Sequence, residues 1–457
     1  MNKSLLLLPW FLTLVACVPR LQDPPPVLTS LVVPAPAGPG LTPAWWSIFH
    51  DPCLQTWLTM AWHDNLSLAQ AHARMQAAQY RIDQAGAQLW PHAQAHADLE
   101  NLRNSYNGAR AIYNGQTYDY AAFSPLDIDY HLDFWGEYRD LTAIASDQAQ
   151  LAQASERWSR LLLTAALIKT YFAWQSAAWL LERQQRLLDL ATTATRISRS
   201  AVQAGTAPLS QLLAQQGERD KILAQQRDLQ QRYAALQWAL MTLIGQAPSV
   251  APPPTSLQVA NVDDLPLPQR IDLDRLASRP DIQMALWRVR AAAHRQKFAV
   301  TQYYPNIDLR AMLGFDSIGL DRLLSARSSG YALGPAIHLP IFEGGALDAQ
   351  YHASAADYAA AVYAYNDSLL HAAQAVATDL SQLQQSRYKL EDLKTYRHRQ
   401  TRLLAIAQRG FDSGITARQE LVSAERATVI ADIAYLQERL LWLDALTDTA
   451  TDLGGGE

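Results

Sequence analysis

The chain has 457 residues, 49% of them hydrophobic, and a formal charge of −5. This length supports more than one ordinary core and excludes a small disulfide-stapled module. The mildly acidic balance leaves no nucleic-acid footprint, and two cysteines, Cys17 and Cys53, supply no disulfide framework.

The opening "MNKSLLLLPWFLTLVACVPR" places Lys3 before an apolar run too short to span a bilayer as a permanent helix, and so reads as an export signal. Its end, Leu14-Val15-Ala16-Cys17, resembles the bacterial lipoprotein signal, in which the cysteine is acylated and becomes the new N-terminus. Two or more acyl chains anchor stably where one binds only marginally. Val18 follows in place of the Asp that retains such lipoproteins in the inner membrane, so the resemblance implies sorting to the outer one. Cys53 reads as a passive side chain.

Residues 19–43 are rich in proline and predict a tether. A helix is predicted over 67–88, closed by Trp90 and Pro91. In the strand that follows, His92, Gln94, His96, Asp98 and Glu100 alternate with Ala93, Ala95, Ala97 and Leu99. The stretch "LDIDYHLDFWGE" from Leu126 sets Leu126, Ile128, Tyr130, Leu132 and Phe134 on one parity and Asp127, Asp129, His131 and Asp133 on the other. Residues 137–204 contain neither Gly nor Pro and could form a helix on the order of 100 Å long. A turn at Gly205 leads to a shorter return, and "QAPSVAPPPTSLQ" from Gln246 is a linker.

The same order then recurs. A helix over 281–302 is closed by Tyr304 and Pro305; Asn306, Asp308, Arg310 and Met312 alternate with Ile307, Leu309, Ala311 and Leu313. A fourth strand is predicted near 331–342 despite Pro335 and Pro340, before a second Gly- and Pro-free segment, 346–409, and a turn at Gly414. Aligning Gly205 with Gly414 also aligns Leu212 with Leu421, so the chain is two copies of one unit displaced by about 210 residues. The predicted divisions are a signal peptide at 1–16, an anchored tether and segment at 17–62, repeats at 63–247 and 279–453, a Pro-rich linker at 248–278 and a disordered tail at 454–457.

Four strands of about ten residues, each with an apolar and a polar face, fit membrane β-strands. They equally fit a soluble antiparallel sheet with its polar face in solvent. Their symmetric insertion between very long helices in an exported chain favours the membrane, and since four strands close around no water, several protomers must share a barrel.

These features, together with "WWSIFHDPCLQTWL" from Trp45, "NLSLAQAHARMQAA" from Asn65, "LDFWGEYR", "RPDI" from Arg279 and "LPIFEGG", resemble the outer membrane efflux protein family of TolC-like and OprM-like channel lipoproteins. The resemblance implies a mainly α fold with a membrane β-barrel part: a long α-helical barrel and four strands per protomer, in a homotrimer sharing twelve strands. It implies a passive outer membrane channel of a tripartite efflux or secretion system, fed by a periplasmic adaptor and an inner-membrane pump, most simply of the RND type. Asp98, Asp127, Asp129, His131, Asp133 and Asp308 would then face the lumen, and the apolar parity would face lipid. Gly205 and Gly414 would be the periplasmic tips, and Glu420 a gate carboxylate; the family's second carboxylate position holds Ser423, and the first-copy equivalents are Gln211 and Ala214.

No catalytic constellation or cofactor motif is expected. His92 and His96 share a strand face without a metal-ligand pattern around them, and "FEGGALD" lacks the lysine and spacing of a phosphate loop. In the apolar run from Leu161, Lys169 argues for buried helix packing over a transmembrane span. A second reading is a lipid-anchored periplasmic coiled-coil scaffold that does not span the membrane, which leaves the duplicated strands unexplained.

Overall fold

The structure is a computed structural model that describes residues 18–34, 44–107, 115–248 and 270–455. The predicted leader and Cys17 lie outside the described residues, as does most of the Pro-rich linker. In chain order the elements are β1 (Val32–Pro34), α1 (Pro52–Asp64), α2 (Leu66–Ala87), β2 (His92–Arg103), β3 (Thr117–His131), α3 (Glu137–Gln203) and α4 (Leu209–Leu243), then β4 (Arg270–Asp272), α5 (Pro280–Thr301), β5 (Asn306–Ile318), β6 (Ser329–His338), α6 (Ala346–Asp412) and α7 (Arg418–Asp452).

The duplication is metrical. Helices α2 and α5 each have 22 residues, α3 and α6 each have 67, and α4 and α7 each have 35. A helix of 67 residues is about 100 Å long, several times the usual three turns. Sequence free of Gly and Pro over 137–203 and 346–409 permits it, and acidic first turns at Glu137, Asp140 and Asp348 suit the helix dipole.

The described residues fall into two compact units, one of residues up to 27, 74–153 and 284–366, the other of 28–73, 154–283 and 367–457. The first unit contains a four-stranded antiparallel sheet in the order β2-β3-β5-β6. The two repeats meet where β3 pairs with β5, from Tyr120 opposite Ile318 to His131 opposite Asp308. Strand β3 carries one extra residue relative to both neighbours near Ser124 and Pro125. Pro125 has no N–H to lose from the ladder there. Gly314 lies beside this bulge, where an added Cβ would come within 2.9 Å of the Ser124 Oγ.

In the second unit Trp45 and Phe49 are buried, and Phe49 packs edge-on against Phe172 with ring centroids 4.8 Å apart. Asp51 caps α1, accepting from the backbone N–H groups of Cys53 and Leu54, and its other oxygen accepts from the Tyr171 hydroxyl at 2.9 Å. Leu167, Ile168, Tyr171 and Phe172 are buried, so the apolar run around Lys169 is helix packing. Among the described residues no helix is long and apolar enough to cross a membrane. Further along α3, Leu187, Leu190, Ala191 and Ala194 join Ile222 of α4 and Val422 and Val429 of α7 in one core.

Four expectations change. The fourth strand is Ser329–His338, ending before Pro340, and tolerates Pro335 because β6 is a sheet edge. Strand β3 ends at His131, so Leu132, Asp133 and Phe134 do not continue its alternation. Asp133 instead caps α3, accepting from the N–H groups of Tyr138 and Arg139 and from the Arg139 guanidinium at 3.1–3.2 Å. The predicted linker contains β4, paired with β1, and a helical turn at Leu273–Ala277. The predicted tail begins with Gly454 and Gly455 buried in a helix-terminal turn, their N–H groups donating to Thr451 and Ala450 carbonyls.

Candidate functional site

Antiparallel partners point to the same side of a sheet, so the register assigns every strand residue to a face. His92 opposes Asp129, which opposes Arg310, which opposes Gly334; Gln94, Asp127, Met312 and Ala332 form the next such row. His131, Asp308 and Ala336 form a third. The opposite face carries Ala93, Ile128, Ala311 and Leu333 in one row, Tyr130, Leu309 and Pro335 in another, and Leu126, Leu313 and Tyr331 in a third. One face is thus polar and the other apolar.

The bulge in β3 exchanges its parity. Upstream of it Tyr120 and Ala122 share the polar face, with Ala122 lying between Asp98 and Asp316. A single alternation read from Leu126 cannot reveal this switch, whose one local sign is Pro125.

The polar residues form a network. The His131 ring nitrogen lies 2.8 Å from Asp308, the Arg310 guanidinium lies 3.2 Å from Asp129 and 3.7 Å from Asp308, and His96 stands 4.0 Å from Asp127. The structure therefore brings together Asp127, Asp129, His131 and Asp308. Asp98 belongs to the same face but makes no ion pair among the described residues, and Asp133 is a helix cap. Arg310, not singled out from the sequence, is the cation that ties the two repeats on this face.

The apolar face is uncovered. Tyr331, Leu333 and Ile337 are 85%, 74% and 59% exposed, and Leu126 and Leu313 are also exposed. Isolated exposed apolar residues are common, but a contiguous apolar face marks contact with something apolar. Exposed apolar and aromatic side chains also stand at three of the four strand–helix junctions: Trp90 before β2, Phe134 and Trp135 after β3, Ile341 and Phe342 after β6. Trp135 stacks on Tyr304, which precedes β5, at 4.5 Å between centroids. Rings at the ends of apolar strands are the pattern of a membrane–water boundary.

The two turns are matched in detail. Gly205 has φ +69° and donates to the Val202 carbonyl, while Thr206 donates to Ala201; Gly414 has φ +74° and donates to Phe411, while Ile415 donates to Gly410. These paired bonds cap the long helices, and the left-handed glycine reverses the chain. Glu420 lies exposed in the first turn of α7 and makes no ion pair among the described residues. The Ser423 hydroxyl donates to the Gln419 carbonyl at 2.9 Å.

A polar cluster in the second unit was not legible from sequence, because α3, α6 and α7 supply it together. Lys169 pairs with Asp448. Asp379 is pushed up to about 7 by burial, by its hydrogen bond with Asp452 and by the charges of Asp452 and Asp448, with Lys169 acting against the rise. Burial also raises Asp444 to about 6. Arg279 of the "RPDI" motif is buried, holds Asp281 through two bonds of 3.1 and 2.9 Å, and reaches Asp452 at 3.5 Å.

Comparisons agree with this geometry. The Outer membrane efflux protein family model matches residues 57–246 and 274–455, one segment per repeat. The multidrug resistance outer membrane protein MdtP of Escherichia coli O6:H1 is 28% identical over 419 residues, covering 88% of this chain and 83% of that protein. The Campylobacter jejuni CmeC outer membrane channel superimposes with a TM-score of 0.85 at 20% identity, over 96% of this chain and 94% of that one. The Vibrio cholerae outer membrane protein VceC gives 0.77 at 25% identity, over 90% of this chain and 98% of that one. With the fold, both repeats and nearly the whole length accounted for, the chain belongs to the outer membrane efflux protein family.

Proposed function

We propose that three copies of this chain form a passive outer membrane conduit whose barrel wall is the four-stranded sheet repeated three times. The observation that carries this reading is the pair of open edges on a two-faced sheet. Among the described residues strands β2 and β6 have no outer partners, and they run in opposite directions, so β6 of one copy can pair antiparallel with β2 of the next. Eight strands enclose an interior that side chains fill, so three copies, giving twelve, are the smallest closed set with a wet lumen.

In that barrel the network of Asp127, Asp129, His131, Asp308 and Arg310 faces water, with Asp98, and the apolar rows face lipid, where a charge near the midplane costs about 2–4 kcal/mol. Cys17 carries the lipid that anchors the N-terminus. Gly205 and Gly414 mark the ends that engage a periplasmic adaptor, and Glu420 contributes a ring of three carboxylates that narrows the entrance and attracts cations. The inner-membrane pump, of the RND type, supplies the energy. The predicted divisions serve this plan, with 63–247 and 279–453 as the two repeats of each wall segment.

Purified protein reconstituted in planar bilayers tests the reading. It should form ion-conducting channels and run on gels as a heat-sensitive species of three times the chain mass. A monomer without conductance would overturn the reading.

A further inference from the structure

The described chain begins in a groove of the first unit. Val18 lines a cavity of about 230 Å³ together with Tyr303, Leu339, Ile341, Phe342 and Leu347, at the junction between β6 and α6. Ile341 and Phe342 are 84% and 87% exposed, so the groove opens onto apolar surface. The chain is fixed as it leaves: the Arg20 carbonyl accepts from the Tyr351 hydroxyl, the Gln22 carbonyl from Gln296 at 3.4 Å, and the Pro26 carbonyl from Asn366 at 3.0 Å. The start of the proline-rich segment predicted as a tether is therefore laid along α5 and α6.

We propose that this groove seats an acyl chain of the lipid carried by Cys17, so that the lipid is a structural part of the protein as well as its anchor. The inference rests on the reading of Cys17 as the lipid-bearing residue. Val18, the residue that follows Cys17 in the sequence, is itself part of the groove wall. Leu339, Ile341, Phe342 and Leu347 offer apolar surface to methylenes, with the carboxylates of Glu343 and Asp348 also in the lining. The Tyr303 hydroxyl is a buried group without a hydrogen-bond partner among the described residues, and an ester or amide carbonyl at the base of the lipid would satisfy it.

The test uses the full chain in cells fed a palmitate analogue bearing a photoreactive diazirine. After irradiation, outer membrane protein is digested and cross-linked peptides are identified by mass. The expected product joins the acylated Cys17 peptide to the peptide containing Leu339–Phe342 or Leu347, and it is lost in Leu339→Trp, which fills the groove. Acylated Cys17 cross-linked only to lipids or to other peptides overturns the proposal while leaving the anchor intact. Cross-linking of the groove peptide to a free phospholipid instead of the Cys17 peptide also overturns it. An unacylated Cys17 overturns both the anchor and the groove. The wild-type product alone decides the matter if Leu339→Trp fails to accumulate.

Discussion

His131 on β3 and Asp308 on β5 lie 2.8 Å apart, and they join the first repeat to the second across the centre of the sheet. Both side chains are mostly buried, at 11% and 22% exposure. Removing His131 leaves Asp308 only the longer contact with Arg310 at 3.7 Å, and the lost hydrogen bond costs about 1–3 kcal/mol. His131→Ala should lower the heat stability of the assembled protein, read as a lower temperature for gel-shift to monomer. An unchanged temperature would mean that the pair contributes nothing to the joint between repeats.

The polar face is acidic, with Asp98, Glu100, Asp127, Asp129, Asp308 and Asp316 against the single cation Arg310 among the described residues. Channels in planar bilayers under a salt gradient should therefore favour cations. Asp127→Asn with Asp129→Asn should move the reversal potential towards zero, and Arg310→Gln should move it the other way.

Gly205 and Gly414 hold positive φ with open space where a Cβ would stand. The cost of substitution is thus conformational, about 1–2 kcal/mol for a left-handed non-glycine residue. Gly205→Ala and Gly414→Ala should each lower stability by that order in thermal melts, without a clash to relieve, and the double variant should sum the two. A loss confined to one position would show that the turns are not equivalent.

Glu420 should act on permeation without acting on folding, since it is exposed and makes no ion pair among the described residues. Glu420→Ala should raise single-channel conductance or weaken cation preference at an unchanged melting temperature. Unaltered conductance and selectivity would remove it from the entrance.

Asp379 gives a pH dependence of definite sign. Its carboxyl is raised to about 7 in the folded protein, from an ordinary value near 4 in the unfolded chain. Between those values the folded state binds the proton and the unfolded state does not, so stability is fullest below about pH 4 and is lost as pH rises through about 7. Melting temperature should fall from pH 5 to pH 8 in the wild type. Asp379→Asn should flatten that fall and melt higher at pH 8; an unchanged slope would locate the titration elsewhere.

The long helices were legible because 137–203 and 346–409 contain neither Gly nor Pro and lead into a glycine turn, which leaves few alternatives, and the repeat was legible because those turns recur. The polar parity of Asp127, Asp129 and His131 was legible from alternation alone. What escaped was set by tertiary pairing. The bulge near Pro125 reverses the parity of Tyr120 and Ala122, Asp133 became a cap because the strand stopped at His131, and Pro335 is admitted only by an edge. The Asp379 cluster joins residues from three helices far apart in the chain, which no local pattern encodes.

The central claim is that one parity of β3 meets water and the other meets lipid. In a Cys53→Ser background, cysteines placed singly at Asp127, Ile128, Asp129 and Tyr130 can be challenged with a charged, membrane-impermeant thiol reagent during single-channel recording. The account predicts that modification at 127 and 129 reduces the current, while 128 and 130 neither react nor change it. Equal reactivity along the strand, or modification without any effect on current, would contradict it.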